Sequence, residues 1–214
     1  MNPRHLAIPV LALVLLSGCA SAAPAEAPSS APPAVEPSAT PEPEPVVDTL
    51  LFRAESIQVL AGGAVVDELS ALDVDATVEG LTAVLGEAVY EAFPAAECTQ
   101  AGERWVWLDA LRLQAPTTGV GVFNLRFFEP AVTGVEGQQI ELVAQGDVQV
   151  GDDISALIVA TDPALVQTYE SSDIVLLEAG WFDSGYNAGV AAFAEGGVVQ
   201  NIGLPIAVNS NIDC

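Results

Sequence analysis

Between Ala20 and Val47 the chain reads ASAAPAEAPSSAPPAVEPSATPEPEPVV, almost entirely Ala, Pro, Ser and Glu. Such a segment cannot bury enough apolar surface to offset the entropy of ordering itself. Its prolines stiffen it toward polyproline II, at ~3.1 Å per residue, so it serves as a spacer up to roughly 80 Å long. Whatever folds must therefore do so downstream, in residues 48–214, where Val, Leu, Ile and aromatic residues take over. That length suits one ordinary domain or two small packed halves.

Upstream of the spacer the chain has a single arginine, Arg4, then an apolar run from Leu6 to Leu16. The run is too short to cross a hydrocarbon core of ~30 Å as a helix. Small residues Ser17 and Gly18 follow, and then Cys19. A charged start, a short apolar stretch and small residues before a cleavage point mark residues 1–18 as a secretory signal. The tetrapeptide Leu16-Ser17-Gly18-Cys19 resembles the lipobox of bacterial lipoproteins. The resemblance implies that Cys19 carries a diacylglyceryl thioether and begins the mature chain. Residues 19–47 would then be a lipidated cysteine and its stalk. The expected location is the cell membrane, lipid-anchored on the extracytoplasmic side, where two or more acyl chains give stable attachment.

Two further cysteines remain, Cys98 and Cys214. In an exported chain an even number of cysteines reads as disulfide-bonded, so these two are expected to pair. Closing so long a loop contributes about 4–5 kcal/mol in the chain-entropy description. A reactive thiolate needs a neighbouring cation or histidine, and this region has little of either.

The sequence holds 29 acidic residues, five basic side chains and one histidine, for a formal charge of −24. All five basic residues are arginines: Arg4, Arg53, Arg104, Arg112 and Arg126. Removal of residues 1–18 discards Arg4, His5 and Met1, leaving a chain of charge −25 without Lys, His or Met. Without histidine there is no Ser-His-Asp or Cys-His pair and no imidazole metal site. Without lysine there is no Schiff base, Ser-Lys dyad or P-loop. Four arginines in so acidic a chain cannot neutralise a phosphate backbone, which argues against nucleic acid. The same charge repels anionic headgroups and holds the domain off the membrane that anchors it. No cofactor is implied.

LLFRAESIQVL, the pair Gly62-Gly63 and AVVDEL read as strands about a turn. After Asp75, apolar residues at Val78, Leu81 and Leu85 recur at helical spacing, predicting a helix over 76–85 that stops at Gly86. Trp105, Trp107, Leu111 and Leu113 share one parity, Arg104 and Arg112 the other. Phe123, Leu125 and Phe127 alternate with Asn124 and Arg126. Asp152 or Asp153 caps a second short helix running to Ala160. The remaining segments read as strands, the last two joined at Gly196-Gly197. The expected class is α+β, mainly antiparallel sheet with two short helices. LDVDATVEGLTAVLG and VQVGDDISALIVATD invite comparison as a tandem pseudo-repeat of β-α-β-type units, over about 48–116 and 117–214.

Three residue groups compete as sites. Asp73 and Asp75, with Asp147, Asp152 and Asp153, could supply oxygen ligands to calcium, but neither stretch matches an EF-hand loop and helix capping explains them. Trp105, Trp107 and Trp181, with Tyr186, could form an aromatic face for a glycan or protein, though large strand residues more often fill a core. Arg104, Arg112 and Arg126 could line an anion site if two of them converge without carboxylate partners. The expectation is a membrane-anchored binding module for an envelope protein or cell-wall polymer, with Trp105, Trp107, Trp181 and Arg126 as candidate contacts and no catalytic or metal residues. The alternatives are a secreted hydrolase working through two carboxylates and a small-ligand-binding lipoprotein.

Overall fold

A computed structural model describes residues 45–95, 100–117, 123–180 and 187–208. Three strands come first: β1 (Thr49–Phe52), β2 (Ser56–Ala61) and β3 (Ala64–Ser70). LLFRAESIQVL is therefore two antiparallel strands, broken at Arg53–Glu55 and paired through Leu50 with Val59 and Phe52 with Ile57. Gly62 and Gly63, at φ +58° and +79°, turn β2 into β3. Only glycine enters that region freely at two consecutive positions.

Helix α1 (Val74–Leu85) begins two residues before the expected start. The Asp73 carboxylate accepts from the amide of Ala76 at 3.1 Å, satisfying one of the open amides of the first turn. Gly86 ends the helix at φ +90°. Leu81 and Leu85 enter the core. The hydroxyl of buried Thr77 lies 2.5 Å from the carbonyl oxygen of Ser70 and 2.7 Å from that of Asp73, tying the helix start to the end of β3.

A meander follows: β4 (Val89–Phe93), β5 (Gly102–Trp107), β6 (Leu111–Pro116) and β7 (Asn124–Phe127). Then come β8 (Ala131–Thr133) and β9 (Gln139–Ala144), the short helix α2 (Ser155–Ala160) and a 3-10 turn at Pro163–Leu165. A second meander closes the described chain: β10 (Val166–Thr168), β11 (Ser172–Gly180), β12 (Asn187–Glu195) and β13 (Val198–Val208). Gly196 and Gly197 join β12 to β13, as expected.

These strands make a five-stranded sheet ordered β3-β2-β1-β9-β8 and an eight-stranded sheet ordered β10-β11-β12-β13-β7-β6-β5-β4. Every pairing between the named strands is antiparallel except that of β1 with β9. The molecule is thus mostly antiparallel sheet with two α-helices among the described residues.

Both sheets turn one face to a shared core. Leu50, Phe52, Ile57, Ile140 and Leu142 come from the smaller sheet, and Trp107, Leu111, Leu113, Leu125, Phe127, Ile202 and Leu204 from the larger. The Phe52 and Phe127 rings stack across the two layers with centroids 4.4 Å apart. Because strand side chains alternate, every inward residue leaves its neighbours on the other face. The burial of Leu111, Leu113, Leu125 and Phe127 is what puts Arg112 and Arg126 outside.

Candidate functional site

The outer face of the eight-stranded sheet collects three of the four arginines found after position 4. Register places them. Arg104 on β5 faces Glu91 on β4 and Gln114 on β6. Arg112 on β6 faces Arg126 on β7, which faces Gly203 on β13. Each guanidinium lies over a phenylalanine ring: Arg104 over Phe93 at 5.2 Å, Arg112 over Phe128 at 5.1 Å and Arg126 over Phe193 at 4.4 Å from the centroid. The ring faces attract the cations through their quadrupoles and hold the guanidinium planes in place.

Arg126 starts on β7 and reaches Phe193 on β12, two strands away, by lying across Gly203 of β13. A Cβ at position 203 would come within 3.2 Å of Arg126 Cγ and 3.1 Å of Ile206, so glycine is what leaves the crossing open. Phe193 also packs against a small buried apolar cluster of Leu176, Ala191 and Ile206.

The three arginines differ in their partners. Arg104 is paired with Glu91. Arg112 is exposed, and among the described residues it meets no carboxylate. Arg126 is half-buried and donates from Nε to Asn124 Oδ1 at 2.9 Å, again with no carboxylate among the described residues. Burial pushes the Arg126 pKa down, and the neighbouring charge of Arg112 adds to the effect. Beside them Asn201, which faces Phe193 across the β12–β13 pair, has a buried side-chain oxygen without a hydrogen-bond partner.

Of the expected tryptophan face, the two described members do not lie on this surface. Trp105 and Trp107 point inward, opposite Leu113 and Leu111. Trp107 is 1 % exposed, and its Nε1 is a buried donor with no acceptor among the described residues. Core packing, the commoner role for a large strand residue, explains it. Trp105 is partly buried and tilts against the exposed Tyr90 with centroids 5.6 Å apart. Trp181, Tyr186, Cys19, Cys98 and Cys214 lie outside the described residues.

The aspartates serve the backbone. Asp73 caps α1, Asp152 accepts from the Gln149 amide at 2.8 Å and Asp153 from the Ser155 amide at 2.9 Å. The bonds to Ser155 hold the Asp153 carboxyl below its ordinary pKa. Among the described residues no group of three His, Cys, Asp or Glu is placed to hold a metal ion.

Concavities lie elsewhere among the described residues. A polar cleft of about 460 Å³ lies beside Arg53, Ser56, Glu68 and Glu178. There Arg53 grips Glu178 with both arms, Nε to Oε2 at 2.8 Å and NH2 to Oε1 at 2.7 Å, and the Ala54 amide adds a bond of 3.0 Å. These partners hold the Glu178 carboxyl below its ordinary pKa, the opposite of what a general acid for glycoside hydrolysis requires. A more apolar groove of about 390 Å³ runs between Leu157, Leu165 and Leu176.

No family model matches this chain, and neither does any curated protein or solved structure.

Proposed function

We propose that this chain is a lipid-anchored, extracytoplasmic binding module. Cys19 attaches it to the membrane, residues 20–47 carry the domain outward, and the outer face of the eight-stranded sheet meets an envelope protein or a cell-wall polymer. One observation carries the reading: a chain of charge −24 gathers Arg104, Arg112 and Arg126 on a single sheet face, two of them without carboxylate partners among the described residues. Charges set apart in this way steer a complementary partner and fix its orientation more than they stabilise a fold.

The α+β description and the tandem repeat belong to the same proposal. With the division moved from the expected 116/117 to after β7, each part runs through strands of the smaller sheet, a helix, then a meander of the larger sheet: β1–β3, α1, β4–β7, and again β8–β9, α2, β10–β13. That shared order supports duplication of one unit. It also explains how a single face draws arginines from the first meander and a phenylalanine from the second.

The test is photocrosslinking in cells. A chain without lysine leaves amine reagents little to act on, so the probe is a photoreactive residue at Val106, beside Arg112 on the outer face, with Val66 on exposed β3 as the control. The expected outcome is one reproducible partner from position 106 and none from 66. Equal capture at both positions, or none at either, overturns the reading.

A further inference from the structure

We propose that Arg112 and Arg126 form a binding site for one carboxylate on an otherwise uncharged ligand, and this rests on the outer sheet face being the binding surface. Directly opposed like charges destabilise a strand pair. Here they are opposed across β6 and β7 with nothing acidic to relieve them among the described residues. An arrangement that disfavours the empty state rewards the arrival of an anion.

The geometry suits a carboxylate. Phe128 and Phe193 hold the two guanidinium planes from one side, leaving their N–H edges to donate. Arg126 spends Nε on Asn124 and keeps both terminal nitrogens. A planar oxyanion takes two parallel N–H bonds from such a fork.

Net charge narrows the ligand further. The pair supplies two positive charges within a molecule of −24. At distances beyond the contact itself the field is negative, so polyanions such as nucleic acids, polyphosphates and densely acidic polymers are repelled on approach. A single carboxylate at the end of a neutral molecule meets only the local pair.

The chain's own scarcity of cations makes the test direct. The four arginines left once residues 1–18 are removed give four Nε–Hε resonances in the ¹⁵N-labelled mature chain, and each is assigned by substitution. The probes are N-acetylglycine, its uncharged amide, and inorganic phosphate, at constant ionic strength. The expected result is a saturable shift of the Arg112 and Arg126 resonances with N-acetylglycine, none with the amide, and a weaker response to phosphate. Arg53 and Arg104, already paired with Glu178 and Glu91, stay still. R112Q raises the apparent Kd by at least about tenfold, as loss of a charge-assisted bond requires, and because Arg112 is exposed the variant keeps its fold. R112K, which retains the charge and loses the fork, restores binding only in part.

Equal shifts with acid and amide, or shifts of all four arginines together, overturn the carboxylate site. So does a phosphate response stronger than the carboxylate one. If the site fails here while position 106 still captures one partner in cells, the binding face stands and its chemistry is other than a carboxylate. If position 106 also captures nothing, the face itself is refuted.

Discussion

Arg53 and Arg126 are the same residue under opposite arrangements. Arg53 meets Glu178 through two parallel bonds, and that pair fastens the β1–β2 corner of the smaller sheet to β11 of the larger. Glu178 sits at the bulge of β11, where the strand's register shifts between Leu176 and Glu178 and re-aims its side chains. Arg126 is more deeply placed yet faces another arginine, a phenylalanine and an amide. Paired, the guanidinium joins two layers. Unpaired, it is held ready on a ring face. The chain could have neutralised both and neutralised one, which is what separates a structural cation from an available one.

The largest expected effect comes from breaking the satisfied side. E178A removes the acceptor of Arg53 and of the Ala54 amide together, and should lower stability by about 1–2 kcal/mol in urea unfolding, given partial exposure of the pair. Its pH signature is specific. The folded-state pKa of Glu178 lies below the ordinary 4.5, so the pair's contribution is complete above that value and is lost as pH falls through and beneath it. The wild type should therefore lose stability on acidification relative to E178A, and the two curves should converge at low pH. Curves that stay parallel from neutral pH to pH 3 would show that the clasp contributes nothing.

A second change converts the available cation into a paired one. N124D places a carboxylate where Asn124 now accepts from Arg126 Nε, and should raise stability by about 0.5–1 kcal/mol while abolishing the response of Arg126 to N-acetylglycine. A gain in stability with binding intact would separate the two properties and put the ligand elsewhere. The smallest effect is expected from R112Q. Removing an exposed cation that faces another should leave the unfolding midpoint within about 0.5 kcal/mol of wild type, even as ligand response falls. Loss of more than that would make Arg112 a structural residue.

The outer face was legible in the sequence to the extent that alternation carries it. Leu111 and Leu113 against Arg112, or Leu125 and Phe127 against Arg126, state which side is wet, because strand geometry has a period of two. What alternation cannot state is which strands are neighbours, so the meeting of Arg112 with Arg126 and of Arg126 with Phe193 lay beyond it. The turn inside ERWVWLDALRLQ was missed for a different reason. Leu108 and Asp109 both take positive φ, at 53° and 55°, in the three-residue loop 108–110, which is closed by a bond from the Ala110 amide to the Trp107 carbonyl. Such turns normally announce themselves by Asn-Gly or Gly-Gly, and leucine at that position gives no signal. The Gly62-Gly63 and Gly196-Gly197 turns, carrying the usual residues, were readable. The inward direction of Trp105 and Trp107 was implicit in the parity they share with Leu111 and Leu113, and packing of those four against the opposite sheet settles it.

The order of the larger sheet has a consequence in time. β4–β7 and β10–β13 are each a run of sequence neighbours, and they meet only where β13, the last described strand, lies against β7. The smaller sheet waits too, since β1 finds its parallel partner only in β9. A chain that emerges from its amino end first must hold the first meander, with all three arginines of the outer face already on it, until the final strand arrives to join the two runs. Contacts of such long sequence separation make assembly slow, and until that moment β7 is an open edge on which any other strand can settle.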